Sequence, residues 1–282
     1  MRRGVGVSLV QVLLFGVLGL YFLLPAAAVL LYSFATSWTG HVLPDGYTLE
    51  HWRSGLEDPR LVGALVRTTV LATGVVALDV LLVVPAAYWA RIRNPRSRML
   101  IELTAAIPFA LPFVVIAYGI LRLTGQVAPA LLGTPALLLL GHAAIAFPFL
   151  YWAVDGAMAA ANIERLSEAA ETCGAAPLAI IRRVVLPNIG TGIATGGMLV
   201  FATSFGEFAL IQMLAGRRFE TVTLWSLDLL TGTNARFNEL AVITTVTFAL
   251  LFLISIVSVY LNRGQTIRLL PGGRALDREP DR

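Results

Sequence analysis

Six apolar stretches, each about as long as a membrane-spanning helix, constrain this chain more than any other feature. The hydrocarbon core of a bilayer requires about 20 apolar residues in helical conformation. The stretches cover residues 9–34, 68–90, 99–121, 131–154, 190–214 and 240–261. The sequence therefore predicts an all-α membrane protein with six transmembrane helices.

The composition agrees with this prediction. Of the 282 residues, 57% are hydrophobic and 13% are charged, whereas soluble domains carry about 25% charged residues. The first stretch follows Arg2 and Arg3, as the apolar part of a signal peptide would. Its apolar run is too long for a signal peptide, however, and no convincing small-residue cleavage site closes it. We therefore expect the first stretch to be retained as a helix.

The arginines predict the orientation of these helices. Short loops on the cytoplasmic side of a membrane protein carry an excess of basic residues. With the N-terminus inside, 14 of the 21 arginines fall on the cytoplasmic side. The densest run joins the second and third stretches and contains Arg91, Arg93, Arg96 and Arg98. Both termini are therefore predicted to be cytoplasmic.

The residue types that are missing exclude several kinds of chemistry. The chain has no lysine, so it lacks the Walker A loop that binds ATP and cannot form a lysine Schiff base. Cys173 is the only cysteine, which excludes an intrachain disulfide and a cysteine-based zinc cluster. Neither His-Glu-x-x-His nor Gly-x-Ser-x-Gly occurs. We predict no catalytic residue, no metal ligand, no cofactor and, because the arginines lie between apolar runs, no nucleic-acid partner.

The segment between the fourth and fifth stretches is too long and too patterned to be a plain connection. Asn162 is suited to cap a first short helix, Gly174 to end it in a left-handed conformation, and Pro177 to begin a second helix that Pro187 ends. An amphipathic helix of this kind fits either a groove in another protein or the membrane surface. The apolar positions predicted to share a face are Ile163, Leu166, Ala169, Ala170 and Cys173 in the first helix, and Leu178, Ile181 and Val185 in the second.

A spaced motif in this segment resembles the signature of ATP-binding-cassette (ABC) importer permeases. In that family Glu-Ala-Ala is followed after three residues by Gly, after nine more by Ile, and after one more by Leu-Pro. The spacing here is the same and Val184 replaces the isoleucine. The matching residues, which the resemblance implies are the ATPase-coupling residues, are Glu168, Ala169, Ala170, Gly174, Leu186 and Pro187.

The resemblance implies a role for the motif and a set of partners. The helix pair would seat in a cleft of a separate ATPase, with Glu168 facing that subunit and Gly174 making the bend. A solvated surface charge is the simpler alternative for Glu168. The implied partners are a dimer of ATP-binding-cassette ATPases, a second permease subunit, an extracytoplasmic solute-binding protein and membrane lipid. ATP would then be bound by a partner, and the chain itself would not be an enzyme.

Two further segments resemble the same family. Residues 85–91 resemble a Pro-x-Ala-Tyr segment at the end of the second span, and residues 108–116 resemble the proline-rich third span of one branch. That branch transports spermidine and putrescine, 2-aminoethylphosphonate, and ferric ion. The resemblance therefore predicts uptake of a polyamine or an aminophosphonate. Ferric ion, a sulfate-type anion or a sugar are the alternatives within the family, because most selectivity would reside in the binding protein.

The expected organisation is that of a type I ABC importer permease in a bacterial inner membrane. Residues 1–8 would form a cytoplasmic N-terminus, residues 9–262 the six-helix domain with a cytoplasmic coupling loop at 155–189, and residues 263–282 a cytoplasmic tail. A secondary transporter or channel is the alternative from a different class. Such proteins often show inverted repeats, and the chain shows no clear self-similarity.

Polar residues inside the apolar stretches are candidates for contact with substrate, because they are costly in a membrane. Glu207 lies in the fifth stretch, which lines the translocation path in the family, and its carboxylate could attract a cation. An alternative for Glu207 is a hydrogen bond to a neighbouring helix, with Ser204 as the partner. Asp79 lies in the middle of the second stretch, where an inter-helix hydrogen bond is favoured. His142 is expected to be a packing residue. The predicted pathway residues are Glu207, Ser204 and Asp79.

Overall fold

The computed structural model describes residues 9–231 and 236–266. The predicted N-terminus (1–8) and residues 267–282 of the predicted tail, with their arginines, lie outside the described residues. Within the described part the chain is almost entirely helical, and its only β-contact is an isolated bridge between Ala35 and Tyr47. The helices are α1 (Leu9–Phe34), α2 (Glu50–Glu57), α3 (Pro59–Ile92), α4 (Pro95–Ala110), α5 (Phe113–Val127), α6 (Pro135–Ala160), α7 (Ile163–Thr172), α8 (Pro177–Ile180), α9 (Leu186–Asn188), α10 (Gly190–Gly206), α11 (Ala209–Leu214), α12 (Val222–Thr231) and α13 (Phe237–Thr266).

The lengths and apolar character of these helices confirm the predicted fold class. Four of the described helices, α1, α3, α6 and α13, are each long and apolar enough to cross a bilayer. The count rises to six when two bent segments, residues 95–127 and 177–206, are each taken as one span. The first span begins and ends at the predicted residues.

The prediction of one continuous third helix over 99–121 is wrong. The segment forms two helices, α4 and α5, whose axes differ by 112°. Leu111 and Pro112 at the junction have extended backbone, with ψ angles of 138° and 139°. The pyrrolidine ring disfavours helical backbone in the residue that precedes it. Hydropathy does not register this constraint, because both sides of the junction are equally apolar.

The fifth predicted span, 190–214, is also interrupted. Helix α10 ends at Gly206, Glu207 has an extended backbone (φ −70°, ψ 135°), and α11 begins at Ala209. The following segment, which the sequence suggests is a polar outer loop, contains the apolar helix α12. The indole of Trp225 in that helix is completely buried. Membrane proteins tolerate non-helical backbone at such breaks only where protein or water surrounds it.

The chain forms two compact units. Of the described residues, the first unit contains 9–62, 226–231 and 236–250, and within it α2 is held against α1 and α13. The indole N–H of Trp52 donates to Ser33 Oγ (3.1 Å), and the amide of Asn238 donates to the carbonyl of Ala35 (2.7 Å). An ion pair between Arg60 and Asp228 (2.7 Å) adds to these contacts.

The second unit contains the described residues 63–225 and 251–266, and α6 lies at the centre of its core. Helix α10 packs against α6 through two glycines. A Cβ at Gly192 would lie 2.7 Å from the carbonyl oxygen of Ala153, and one at Gly196 would lie 2.8 Å from the Cα of Leu150. Small residues at these positions therefore allow the two helices to approach closely, as is common between membrane helices.

Candidate functional site

The segment of residues 155–189, which we call the Glu-Ala-Ala loop, leaves α6 through a sharp turn at Asn162. Asn162 precedes α7 as predicted, but its side chain makes no capping hydrogen bond. Its backbone is left-handed instead (φ 50°, ψ 48°). Asparagine is among the few residues that adopt this conformation readily. The residue therefore redirects the chain from α6 into α7 through its backbone.

The predicted apolar stripe of α7 is divided between two faces. Ile163 and Ser167 are buried, and Ala170 packs partly against the core. Leu166, Ala169 and Cys173 of the same stripe are exposed, together with Glu168. Glu168 and Ala169 of the motif are therefore exposed on one face of α7, and the face that contains Ile163 and Ser167 packs against the second unit.

Gly174 ends α7 in the predicted left-handed conformation, with φ 80°. Its N–H donates to the carbonyl of Glu171 (2.8 Å), and the N–H of Ala175 donates to the carbonyl of Ala170 (3.0 Å). This is the arrangement that glycine favours at a helix C-terminus. A Cβ built on Gly174 would meet no heavy atom within 4 Å, so its backbone conformation, not crowding within this chain, is what favours glycine here.

The helix after Gly174 contains a π-turn over Ile181–Val185. There the N–H of Leu186 donates to the carbonyl of Ile181, five residues earlier. Pro187 has no N–H with which to extend this pattern, and the Asn188 side chain donates to the Val184 carbonyl (2.7 Å). The predicted break before the fifth span is present, one residue later than Pro187: residues 186–188 remain helical and the 77° bend into α10 follows them.

The π-turn also changes which side chains face the core. Ile180 and Val185 are fully buried, whereas Leu178 is 76% exposed. The prediction that Leu178 and Val185 share one face is therefore wrong. Pro187 is exposed and Leu186 is partly buried. Each helix of the loop therefore exposes an apolar side chain, Leu166 in α7 and Leu178 in α8.

A group of ion pairs ties the Glu-Ala-Ala loop to the arginine run between α3 and α4. Arg91 Nη1 donates to Asp155 Oδ1 (2.6 Å), and Arg91 Nε donates to Glu164 Oε1 (2.5 Å). Arg98 Nη2 reaches the other oxygen of Asp155 at 3.1 Å. At the end of α7, Arg93 pairs with Glu171 (2.5 Å). The arginines that predict orientation therefore also hold α7 in place.

The sequence analysis assigns no role to Asp155 or to Glu164, and their pairing with the arginine run is visible only in the structure. The side chain of Asp155 is 16% exposed and that of Arg91 is 11% exposed. Partial burial raises the pKa of Glu164, but its own backbone N–H and the Arg91 guanidinium lower that pKa by more, so the net pKa is below its usual value.

Glu207 is buried at the break between α10 and α11. Its carboxylate Oε2 accepts hydrogen bonds from the backbone N–H groups of Leu210 (2.8 Å) and Ile211 (3.4 Å). The ring of His142 lies beside the same oxygen, and Thr223 Oγ1 donates to the Glu207 carbonyl (3.0 Å). The carboxylate thus binds the first turn of α11, and no bond joins it to Ser204. Contact between Glu207 and substrate stays a prediction.

The two other predicted pathway residues are buried without hydrogen-bond partners among the described residues. Ser204 Oγ and Asp79 Oδ2 are both in this state. Asp79 therefore does not make the favoured inter-helix hydrogen bond. It lines an otherwise mainly apolar cavity of about 350 Å³ between α3, α4 and α6, which Tyr151 also lines. The structure does not bring Asp79, Ser204 and Glu207 into one hydrogen-bonded cluster.

Comparison with known proteins gives a consistent result. Residues 83–266 match the model of the family described as binding-protein-dependent transport system inner membrane component. A permease assigned to molybdenum transport in Haloferax volcanii is 31% identical over 254 residues, covering 86% of this chain and 87% of the relative. A permease assigned to 2-aminoethylphosphonate transport in Salmonella typhimurium is 26% identical, with 87% and 91% covered. A solved bacterial ABC transporter involved in alginate import contains a chain with a TM-score of 0.67 at 15% identity, covering 91% of this chain and 95% of the other.

The membrane-length helices and the exposed Glu-Ala-Ala loop define a multi-span membrane transport subunit. The chain belongs to the family of binding-protein-dependent transport system inner membrane components. It is a permease subunit of an ABC importer and non-catalytic. Proteins of this family work with an ATPase and a binding protein.

Proposed function

We propose that this chain forms half of a translocation pathway and that its Glu-Ala-Ala loop docks a separate ATPase on the cytoplasmic side. One observation carries this proposal. Glu168 and Ala169 are exposed on α7, away from the face that holds Ile163 and Ser167 in the core, and Gly174 turns the chain directly after them. The small alanine side chains leave room for close approach by a partner surface.

The connection from this loop to the membrane is short. Leu186 and Pro187 continue the helix that follows Gly174, and one residue later the chain bends by 77° into α10. A displacement of α7 and α8 therefore acts directly on the first turn of α10. Closure of two ATPase copies on ATP would draw together the loops of this chain and of a second permease subunit. The pathway would then open outward to a solute-binding protein.

The proposed substrate is a small oxyanion, with 2-aminoethylphosphonate as the first candidate. The proline-rich third span of this chain resembles the branch that transports it, and the Salmonella relative is assigned to its transport. Molybdate is the second candidate, because the Haloferax relative is assigned to molybdenum transport. The cationic alternative, a polyamine, rests on the same branch resemblance and on the Glu207 carboxylate, but that carboxylate is 6% exposed and already bound by two backbone N–H groups.

The docking role is tested with Gly174→Asp in the complete transporter. We expect co-purification of the ATPase and ATP-dependent uptake to fall by about tenfold or more, which corresponds to about 1.4 kcal/mol of binding free energy. Gly40→Asp is a matched control, because Gly40 has nearly the same φ (79°) and equally open surroundings in a different segment. Intact co-purification and uptake in Gly174→Asp would show that the docking assignment is wrong.

The substrate and the energy source are tested together in proteoliposomes that contain both permease subunits, the ATPase and the cognate binding protein. We expect labelled 2-aminoethylphosphonate or molybdate to accumulate with ATP, and putrescine not to accumulate. Accumulation of putrescine alone would overturn the anion assignment and leave the docking role standing. Accumulation without ATP would instead favour a secondary transporter or channel.

A further inference from the structure

We propose that Arg91 is a positioning residue that transmits the movement of α7 to the ends of α3, α4 and α6, with Asp155 as the shared joint. This inference rests on the proposed docking of an ATPase at the Glu-Ala-Ala loop. It concerns the noncovalent route from that loop into the membrane helices, which is separate from the covalent route through Pro187 and α10.

The geometry of the Arg91 guanidinium supports this role. Nη1 donates to both the side chain and the backbone carbonyl of Asp155, at 2.6 Å and 3.1 Å, and Nε donates to Glu164. One side chain at the end of α3 therefore binds the last turns of α6 and the first turn of α7. A guanidinium is suited to this task because its donors form a rigid planar fork.

Asp155 extends the connection to a third membrane helix. Its Oδ1 accepts from Arg91 on α3, and its Oδ2 accepts from Arg98 on α4. The same carboxylate therefore links the two helices that flank the arginine run. Because the side chains of Arg91 and Asp155 are only 11% and 16% exposed, water competes with these bonds less than it does at an open surface.

A second link lies at the opposite end of α7. Arg93 Nη2 donates to Glu171 Oε1, and Arg93 is more exposed than Arg91. Helix α7 is thus held near its first residue by Glu164 and near its last residue by Glu171. Two attachments prevent the helix from pivoting about one end, so a push on its exposed face displaces the arginine run as a whole. If these contacts carry the coupling, their removal should weaken the response of the membrane helices to the ATPase at the loop, and the reverse response.

The experiment measures coupling separately from assembly in the complete transporter. The readouts are the amount of ATPase that co-purifies, the thermal stability of the complex, and the ratio of ATPase rates with and without loaded binding protein. In Arg91→Ala we expect co-purification to be retained and the stimulation ratio and uptake to fall by about fivefold or more. Arg91→Lys should be intermediate, because an ammonium group lacks the fork that joins Asp155 to Glu164.

Arg96→Ala is the matched control, because Arg96 lies in the same run and its side chain makes no ion pair within the described residues. We expect it to retain the wild-type stimulation ratio. At the second link, Arg93→Glu should lower the ratio, and adding Glu171→Arg should restore it by reversing the pair.

Two results would overturn the inference while leaving the docking role intact. One is a wild-type stimulation ratio in Arg91→Ala. The other is a loss of ATPase co-purification in Arg91→Ala as large as that in Gly174→Asp, since the residue would then support docking and not transmission. Failure of the proposed function has a different signature, because the wild-type chain would then retain no ATPase.

Discussion

The imidazole Nε2 of His142 lies 3.8 Å from Oε2 of Glu207, and both side chains are buried in the same unit. The other ring nitrogen, Nδ1, lies 2.8 Å from the Leu138 carbonyl and is therefore placed to donate to it. Nε2 has no hydrogen-bond partner among the described residues, so what lies beside the carboxylate is a packed ring, and the bonds that hold Glu207 are those to α11.

Substitution of Glu207 tests its structural role. Glu207→Ala removes the acceptor of the Leu210 and Ile211 N–H groups, and we expect it to lower the free energy of unfolding by about 1–3 kcal/mol. Glu207→Gln keeps an acceptor oxygen and should cost less. Thermal unfolding of the purified subunit in detergent measures both. Equal stability of the alanine and glutamine variants would show that the bonds to α11 contribute little.

The span positions could be predicted from the sequence because a bilayer imposes a length and an apolar composition that hydropathy records directly. The breaks at Pro112 and Glu207 could not be predicted from hydropathy, which does not register local backbone constraints. The ring of Pro112 disfavours helical backbone at Leu111, and the Glu207 carboxylate accepts the backbone N–H groups at the start of α11. At the candidate site, the left-handed Gly174 follows from its place after a periodic helix. The sequence does not predict which residues of α7 are exposed, because alanine and cysteine fit either a buried or an exposed face.

Helices α6 and α10 pack closely at Gly196 but not at Gly156. We therefore predict that alanine lowers stability at Gly196 and is tolerated at Gly156. Gly196→Ala places a methyl group against the Leu150 backbone, and we expect a loss of about 1–3 kcal/mol of stability from overpacking. Gly156→Ala is the control, because a Cβ there meets nothing within 4 Å. It should be neutral or stabilising by up to about 1 kcal/mol, since alanine favours a helix more than glycine does.

Unfolding temperatures of the two variants, measured in the same detergent, decide the comparison. A Gly196→Ala protein as stable as Gly156→Ala would mean that the helices separate at low cost.

The Arg91–Glu164 ion pair predicts a dependence of stability on pH. The pKa of Glu164 is lowered in the folded protein from its usual value of 4.5, so the folded state binds this proton less readily than the unfolded state does. Its contribution is therefore present above that value and is lost as the pH falls through the lower folded pKa. We expect wild type and Glu164→Gln to differ in unfolding temperature at about pH 7 and to converge at about pH 3.

This comparison isolates one carboxylate, because both proteins share every other acidic group. Arg96→Ala should follow the wild-type profile over the same range. A constant difference between wild type and Glu164→Gln at all pH values would show that the ion pair is not the cause.

The unpartnered Asp79 predicts opposite effects on stability and on transport. Asp79→Leu removes a buried oxygen that has no hydrogen bond and extends an apolar side chain into the cavity of about 350 Å³. We expect it to raise the free energy of unfolding by about 1–3 kcal/mol, whereas Asp79→Asn keeps a buried polar group and should gain less.

A costly buried acid is retained in a membrane helix when it serves function, so the predicted pathway role requires uptake to fall in the leucine variant although the protein is more stable. Wild-type uptake by a stabilised Asp79→Leu transporter would remove Asp79 from the pathway, and a destabilised variant would show that its carboxyl group is satisfied in the assembled complex.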